Sequence, residues 1–317
     1  MSADPVFHEG RSNRPVLIFI HGLGMNRHFW TDPGRCQALG GLASLTLFLS
    51  LPPTQDAPSC YSAGIYDSKL QGLGTRLAAA GYSVVSWSQQ QPVGPLAAGV
   101  EELAAVVKET KKRWPGRLIF LVGHSRGGLI AKQYLLDAGC DRVAGLITIG
   151  TPHAGSKMAN FSKYLHPAGL LLKKVLPTEA RKKSFTALTR LSAFLNSPAA
   201  AELCPESPLI ASLRRPLPAS VATLSFGGTD PVLFRLFVRG RTAAPWRTLA
   251  FPEILVGALP ERRLPPELRP GRGDGLVAAD SAVLPGGHHY DFPANHVKIA
   301  YDGAIQDLIL DFLGEHS

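Results

Sequence analysis

Short continuous apolar runs recur along the chain, separated by stretches in which apolar positions return at helical spacing. Residues 15–20 form such a run, ending at His21-Gly22. Its length and β-branched content predict a strand buried on both faces. Residues 82–87, 117–122, 143–149 and 220–226 predict further strands, and 277–284 the last one. Between them, 69–80 predicts a helix stopped by Gly81. Residues 100–114 predict another, with Leu103, Val106 and Val107 on one face and Pro115 at its end. A helix to about residue 137 is expected after Gly123 to Gly128, and the terminal helix over 300–312. Strand and helix alternating in this way predict an α/β fold, a mostly parallel sheet covered by helices.

Two stretches break the rhythm. Residues 24–67 are irregular, with Pro52-Pro53 and scattered glycines. Residues 151–215 carry leucines and basic residues in helical patches, among them 170–176 and 187–195, and predict a helical insertion over the carboxyl edge of the sheet. Pro- and Gly-rich segments follow from 229 to 275. The expected organisation is an N-terminal half of the core over 1–150, an insertion over 151–217 and a C-terminal half over 218–317.

The chemistry centres on Gly123-His124-Ser125-Arg126-Gly127, which sits between the apolar run 118–122 and a helix. A strand-to-helix turn of this form holds a serine at its apex, with glycines where side chains would collide with neighbouring backbone. A serine hydroxyl needs a base to take its proton. His288 and His289 fall in an expected loop, whereas His296 lies just before the terminal helix, where a base reaches over the serine; His296 is favoured. The base needs a carboxylate behind it. Asp274, in the glycine-flanked turn Gly273-Asp274-Gly275, is favoured over Asp230, whose place before Pro231 also suits an Asx turn. Asp280 and Asp291 read as ordinary polar positions. Two backbone N–H groups must receive the developing oxyanion. Arg126, directly after the serine, and Leu23, in His21-Gly22-Leu23-Gly24, are the expected donors, with His21 itself a loop-bracing residue.

These motifs, with Thr148-Ile149-Gly150-Thr151-Pro152-His153-Ala154-Gly155-Ser156 and Asp274-Gly275-Leu276-Val277, resemble those of bacterial triacylglycerol lipases and their relatives in the α/β-hydrolase superfamily, which also holds GPI-inositol deacylase-like proteins. The resemblance implies an α/β-hydrolase fold with a lid-like insertion. It implies carboxylic ester hydrolysis through an acyl-enzyme on Ser125, His296 and Asp274. Residues 24–67 and 151–215 depart from the family pattern. Some such lipases carry a structural calcium or zinc; no metal ligands and no cofactor are assigned to this chain.

Composition narrows the partners. The formal charge is +9, from 33 Lys+Arg against 24 Asp+Glu. The arginines are scattered, with no basic block interleaved with aromatics, so no nucleic-acid partner is expected. A lipophilic ester substrate is expected, with transient contact to a lipid interface. The insertion's leucines at 170–172, Val175-Leu176 and Phe194-Leu195, beside Lys173-Lys174 and Arg181-Lys182-Lys183, serve either as a lid facing acyl chains or as packing for the insertion. The four cysteines leave two readings open: a Cys36–Cys60 disulfide in an exported protein, or free thiols. The polar start lacks an apolar signal core, so a cytoplasmic protein or one with its leader removed is expected. The rival functions are an acyltransferase or thioesterase with the same triad, and a non-catalytic binding module of the same fold.

Overall fold

The structure, a computed structural model, describes residues 4–11, 13–160, 193–194, 196–241, 244–251 and 264–316. Strands β1 (Val6–His8) and β2 (Val16–Ile20) open the chain. Five short strands follow: β3 (Gln37–Ala38), β4 (Ala43–Ser44), β5 (Ser50–Leu51), β6 (Tyr61–Ser62) and β7 (Ile65–Tyr66). Helix α1 (Leu73–Ala79), β8 (Ser83–Ser86), α2 (Leu96–Arg113), β9 (Ile119–His124), α3 (Arg126–Ala138) and β10 (Val143–Ile149) then alternate. Two short helices, α4 (Pro198–Glu202) and α5 (Pro208–Ser212), precede β11 (Ala222–Gly228). The chain ends with β12 (Phe234–Val238), β13 (Arg247–Phe251), β14 (His288–Phe292) and α6 (Gly303–Glu315).

Seven strands form the central sheet in the order β1-β8-β2-β9-β10-β11-β14. Among the described residues of this sheet, only the β1–β8 pairing is antiparallel. The continuous apolar run of β2 explains its central place. Leu17 and Phe19 enter the core beneath α1 and α6, with Leu73, Leu77 and Phe312. Val16, Ile18 and Ile20 point the other way, with Leu103, Val106 and Val107 of α2 and Leu129, Ile130 and Leu135 of α3. Side chains alternate across a strand, so a strand covered on both faces must be apolar throughout. Each such fully buried side chain contributes about 1.5–3 kcal/mol. Helix α2 buries Leu96, Gly99, Leu103, Val106, Val107 and Thr110, the stripe that a 3.6-residue period predicts.

The structure corrects the C-terminal strand assignment. Residues 277–284 do not form the last strand: a bridge joins Gly273 to Ala278, and Asp280–Ala282 is a 3₁₀ turn. Ala, Asp and Ser are poor strand formers, and this stretch folds back to hold the Asp274 turn. The last strand is β14, so His288 and His289 lie on a strand rather than a loop. It docks beside β11 because residue 287 is glycine; a Cβ there would lie 2.2 Å from the Thr223 carbonyl oxygen. Also unexpected is the small sheet β13-β12-β6, built from the segments expected to be irregular. The alternation in Phe234–Val238 is weak, and the register with β13 stacks Phe234 on Phe251 at 4.7 Å.

Cys36 is buried, Cys60 is exposed, and both are free thiols. Among the described residues no helix is long and apolar enough to cross a membrane. The lid residues expected over 170–176 and 181–183, together with Leu195, lie outside the described residues; Phe194 is within them.

Candidate active site

Ser125 stands between β9 and α3 with φ 53° and ψ −127°, a conformation that L-residues rarely adopt. The surroundings leave little alternative. Ser125 N–H donates to the Ile149 carbonyl at 2.9 Å, and its own carbonyl accepts from Gly128 N–H at 3.0 Å. A Cβ on Gly127 would lie 2.2 Å from the Ile20 carbonyl oxygen, and one on Gly128 would lie 2.1 Å from Oγ1 of Thr151. The glycines therefore let α3 start directly against β2 and the segment after β10, and the turn tips the serine side chain into a cavity.

Asp274 follows from a tight turn in which its N–H donates to the Val277 carbonyl at 3.0 Å. Its Oδ1 accepts from the amides of Leu276 at 2.9 Å and Val277 at 2.7 Å. Its Oδ2 lies 2.8 Å from Nδ1 of His296. The two side chains are 1% and 2% exposed. The loop that carries His296 is tied in several places. His296 N–H donates to the Asp274 carbonyl at 2.9 Å. Asn295 Nδ2 donates to the carbonyls of Val232 and Leu233, while its Oδ1 accepts from the amides of Val297 and Lys298. With Nδ1–H given to the carboxylate, Nε2 of His296 is the nitrogen left to accept a proton.

Ser125 and His296 line one cavity of about 130 Å³. Leu23, Met25, Phe48, Phe194, Leu203 and Leu276 are among its other walls. Among the described residues no hydrogen bond joins the Ser125 hydroxyl to the His296 ring. Unliganded sites often keep such pairs long until substrate closes them. Asp230 is not brought to His296: its Oδ1 accepts from Val232 N–H at 3.0 Å, the alternative Asx turn. His289 bonds Ser225 and Asp291 instead, Nδ1 to Oγ at 2.8 Å and Nε2 to Oδ1 at 3.1 Å.

Of the two residues expected to receive an oxyanion, Leu23 lines the cavity and Arg126 directly follows Ser125. Arg126 opens α3, whose N-terminus has no side-chain cap, and the Arg126 amide, one of the orphan N–H groups of a helix start, has no acceptor among the described residues. In the 22–25 loop, Gly24 N–H donates to Pro92 and Met25 N–H to Gly22, while the Leu23 amide has no acceptor among the described residues. His21 is fully buried, and burial lowers its pKa to about 4, so it is neutral. It braces the loop, with Nδ1 2.9 Å from the Gly22 carbonyl oxygen.

One site residue had no role in the sequence reasoning. His124, immediately before the serine, donates from Nε2 to the His296 carbonyl at 2.8 Å. Its ring lies 4.4 Å from that of Phe29, and burial holds its pKa well below the usual histidine value. The strand that carries the serine thus grips the loop that carries the imidazole. Its position beside Ser125 was the only available signal. Among the described residues no group of three or more His, Cys, Asp or Glu side chains is placed to hold a metal.

Comparisons with known proteins bear on the fold and the family resemblance. Residues 64–219 match the family described as serine aminopeptidase, S33. A 94-residue stretch is 37% identical to triacylglycerol lipases of Pseudarthrobacter phenanthrenivorans and Burkholderia plantarii. It covers 30% of this chain and 28% and 25% of theirs, so the match spans about a quarter of each relative's length. Among solved structures, the mature Bacillus licheniformis lipase BlEst2 superposes with a TM-score of 0.58 at 16% identity, over 98% of this chain and 97% of that one. Its propeptide form gives 0.56 at 17%, over 99% and 53%. At these identities the structures speak for the fold. The chain has the α/β-hydrolase fold, and over the matched stretch it resembles bacterial triacylglycerol lipases.

Proposed function

We propose that the protein cleaves lipophilic carboxylic esters by acyl transfer through Ser125. The observation that carries this reading is the buried 2.8 Å contact between His296 and Asp274 at the wall of the cavity into which Ser125 opens. Asp274 holds the imidazole in the tautomer that accepts at Nε2 and stabilises its protonated form. Ser125 Oγ attacks the ester carbonyl carbon while His296 takes the hydroxyl proton. The amides of Leu23 and Arg126 receive the oxyanion of the tetrahedral intermediate. His296 passes its proton to the leaving alcohol, and the acyl group stays on Ser125. Water then attacks the acyl-enzyme by the same route and releases the acid.

The cavity walls are almost wholly aliphatic and aromatic, which suits an acyl chain. We keep the insertion over 151–217 as the lid of this cavity, with Phe194 at its wall. The test is an ester panel, from short nitrophenyl esters to triglyceride emulsions, run on the wild type and Ser125→Ala. Turnover that disappears in Ser125→Ala supports the reading. Equal turnover by both proteins rejects it. Stimulation by a lipid interface supports the lid; its absence, with good turnover of soluble esters, identifies a plain esterase.

A further inference from the structure

Gln89, in the loop after β8, is 5% exposed and stands between the two segments that carry the proposed oxyanion donors. Its side-chain carbonyl accepts from Nη1 of Arg126 at 3.0 Å. Its Nε2 donates to the His21 carbonyl at 2.9 Å. Its backbone N–H lies 3.0 Å from Nε2 of His21. A backbone N–H only donates, so Nε2 of His21 must accept and the ring proton must sit on Nδ1. That proton goes to the Gly22 carbonyl, 2.9 Å away. The 3.3 Å approach of Gln89 Nε2 to the same Nδ1 carries no bond in this tautomer.

The Gly22 carbonyl and the Leu23 N–H are the two ends of one planar peptide unit. A hydrogen bond to its oxygen fixes the rotation of that plane and polarises the N–H at the far end. Arg126 closes the circuit. Its amide is the second donor, and its guanidinium, 1% exposed as a residue, is anchored by Gln89 and by the Gly94 carbonyl at 2.6 Å.

We propose that Gln89 is a positioning residue for ester cleavage: it couples the Arg126 side chain to the Gly22–Leu23 peptide through His21, and so sets the spacing and aim of both oxyanion donors. The proposal rests on the hydrolase reading above. The two donors lie on segments more than a hundred residues apart in sequence, and Gln89 bonds directly to both segments through buried atoms.

Two variants test it. Gln89→Met keeps the length of the side chain and removes every polar atom. Gln89→Glu keeps an acceptor for Arg126 and removes the donor to His21. Each is assayed on a short nitrophenyl ester and with an alkylboronic acid, which adds to the serine as a tetrahedral anion. Misaimed donors should lower kcat by about 10- to 100-fold, leave KM within about twofold and weaken the boronic acid by a factor similar to the loss in kcat. A packing role alone would lower the melting temperature without that split. Should Gln89→Met not fold, Gln89→Glu, with its ion pair to Arg126, decides the matter. Wild-type kcat and boronate affinity in the folded variant would overturn the proposal while leaving the hydrolase reading intact. A wild type that turns over no ester would instead remove the hydrolase reading.

Discussion

Nδ1 of His296 faces Oδ2 of Asp274 at 2.8 Å in a setting where neither side chain is more than 2% exposed. The carboxylate's other oxygen is already occupied by two backbone amides, so the pair is held from behind and the imidazole cannot swing freely. Asp274→Asn keeps the shape but offers the ring a donor or a weaker acceptor. It should lower kcat by about four orders of magnitude with a modest change in KM. Steady-state kinetics on a soluble ester check this, and a melting temperature near that of the wild type separates it from unfolding.

His124 tests the grip between the serine's strand and the base's loop. His124→Phe retains a ring against Phe29 and loses the donor to the His296 carbonyl. Leaving that buried carbonyl unpaired should cost about 1–3 kcal/mol. Urea titration measures the loss, and kcat should fall with it because the loop that aims the imidazole is released.

The glycines around the serine are demanded by contact distance. With Ile20's carbonyl oxygen 2.2 Å from a Cβ at 127, Gly127→Ala must push β2 and α3 apart. The expected cost is about 1–3 kcal/mol, read as a lowered melting temperature, together with reduced turnover. Gly139→Ala is the contrast in space, since nothing lies within 4 Å of its Cβ, although its φ of 77° carries backbone strain of its own.

Acid should destabilise the fold through buried neutral histidines. Burial lowers the pKa of His21 to about 4 and that of His153 to about 3, and pushes His124 well below its usual value. In the unfolded chain each titrates near 6.5. Between these values the unfolded state binds more protons, so stability rises with pH and falls as pH drops below about 6.5. For His21 alone the loss reaches roughly 3 kcal/mol by pH 4. Glu267 acts with the opposite sign, since burial raises its pKa and its share of stability fades as pH rises. Urea unfolding at a series of pH values should show the midpoint falling steadily from pH 7 to pH 4.

The central strands were legible because a sheet covered on both faces forces unbroken apolar runs, as in Val16–Ile20 and residues 119–122 of β9. The serine turn was legible because its glycines are dictated by backbone contact. Residues 277–284 misled because Val277, Val283 and Leu284 give strand-like ends to a stretch whose middle holds Ala and Asp, weak strand formers. The strand that replaces it, His288–Phe292, looks polar because it lies at the sheet edge with His288, Tyr290 and Asp291 exposed. Gln89 gave no signal and His124 only its place beside Ser125, since their importance lies in long-range hydrogen bonds that no local pattern encodes.

Acyl transfer in this cavity depends first on the hydroxyl of Ser125. The direct measurement is labelling by a fluorophosphonate probe, with the modified residue located by peptide mass. The expected result is one adduct on Ser125 in the wild type and none in a folded Ser125→Ala variant. An unlabelled wild type, or an adduct that persists in Ser125→Ala, would contradict it.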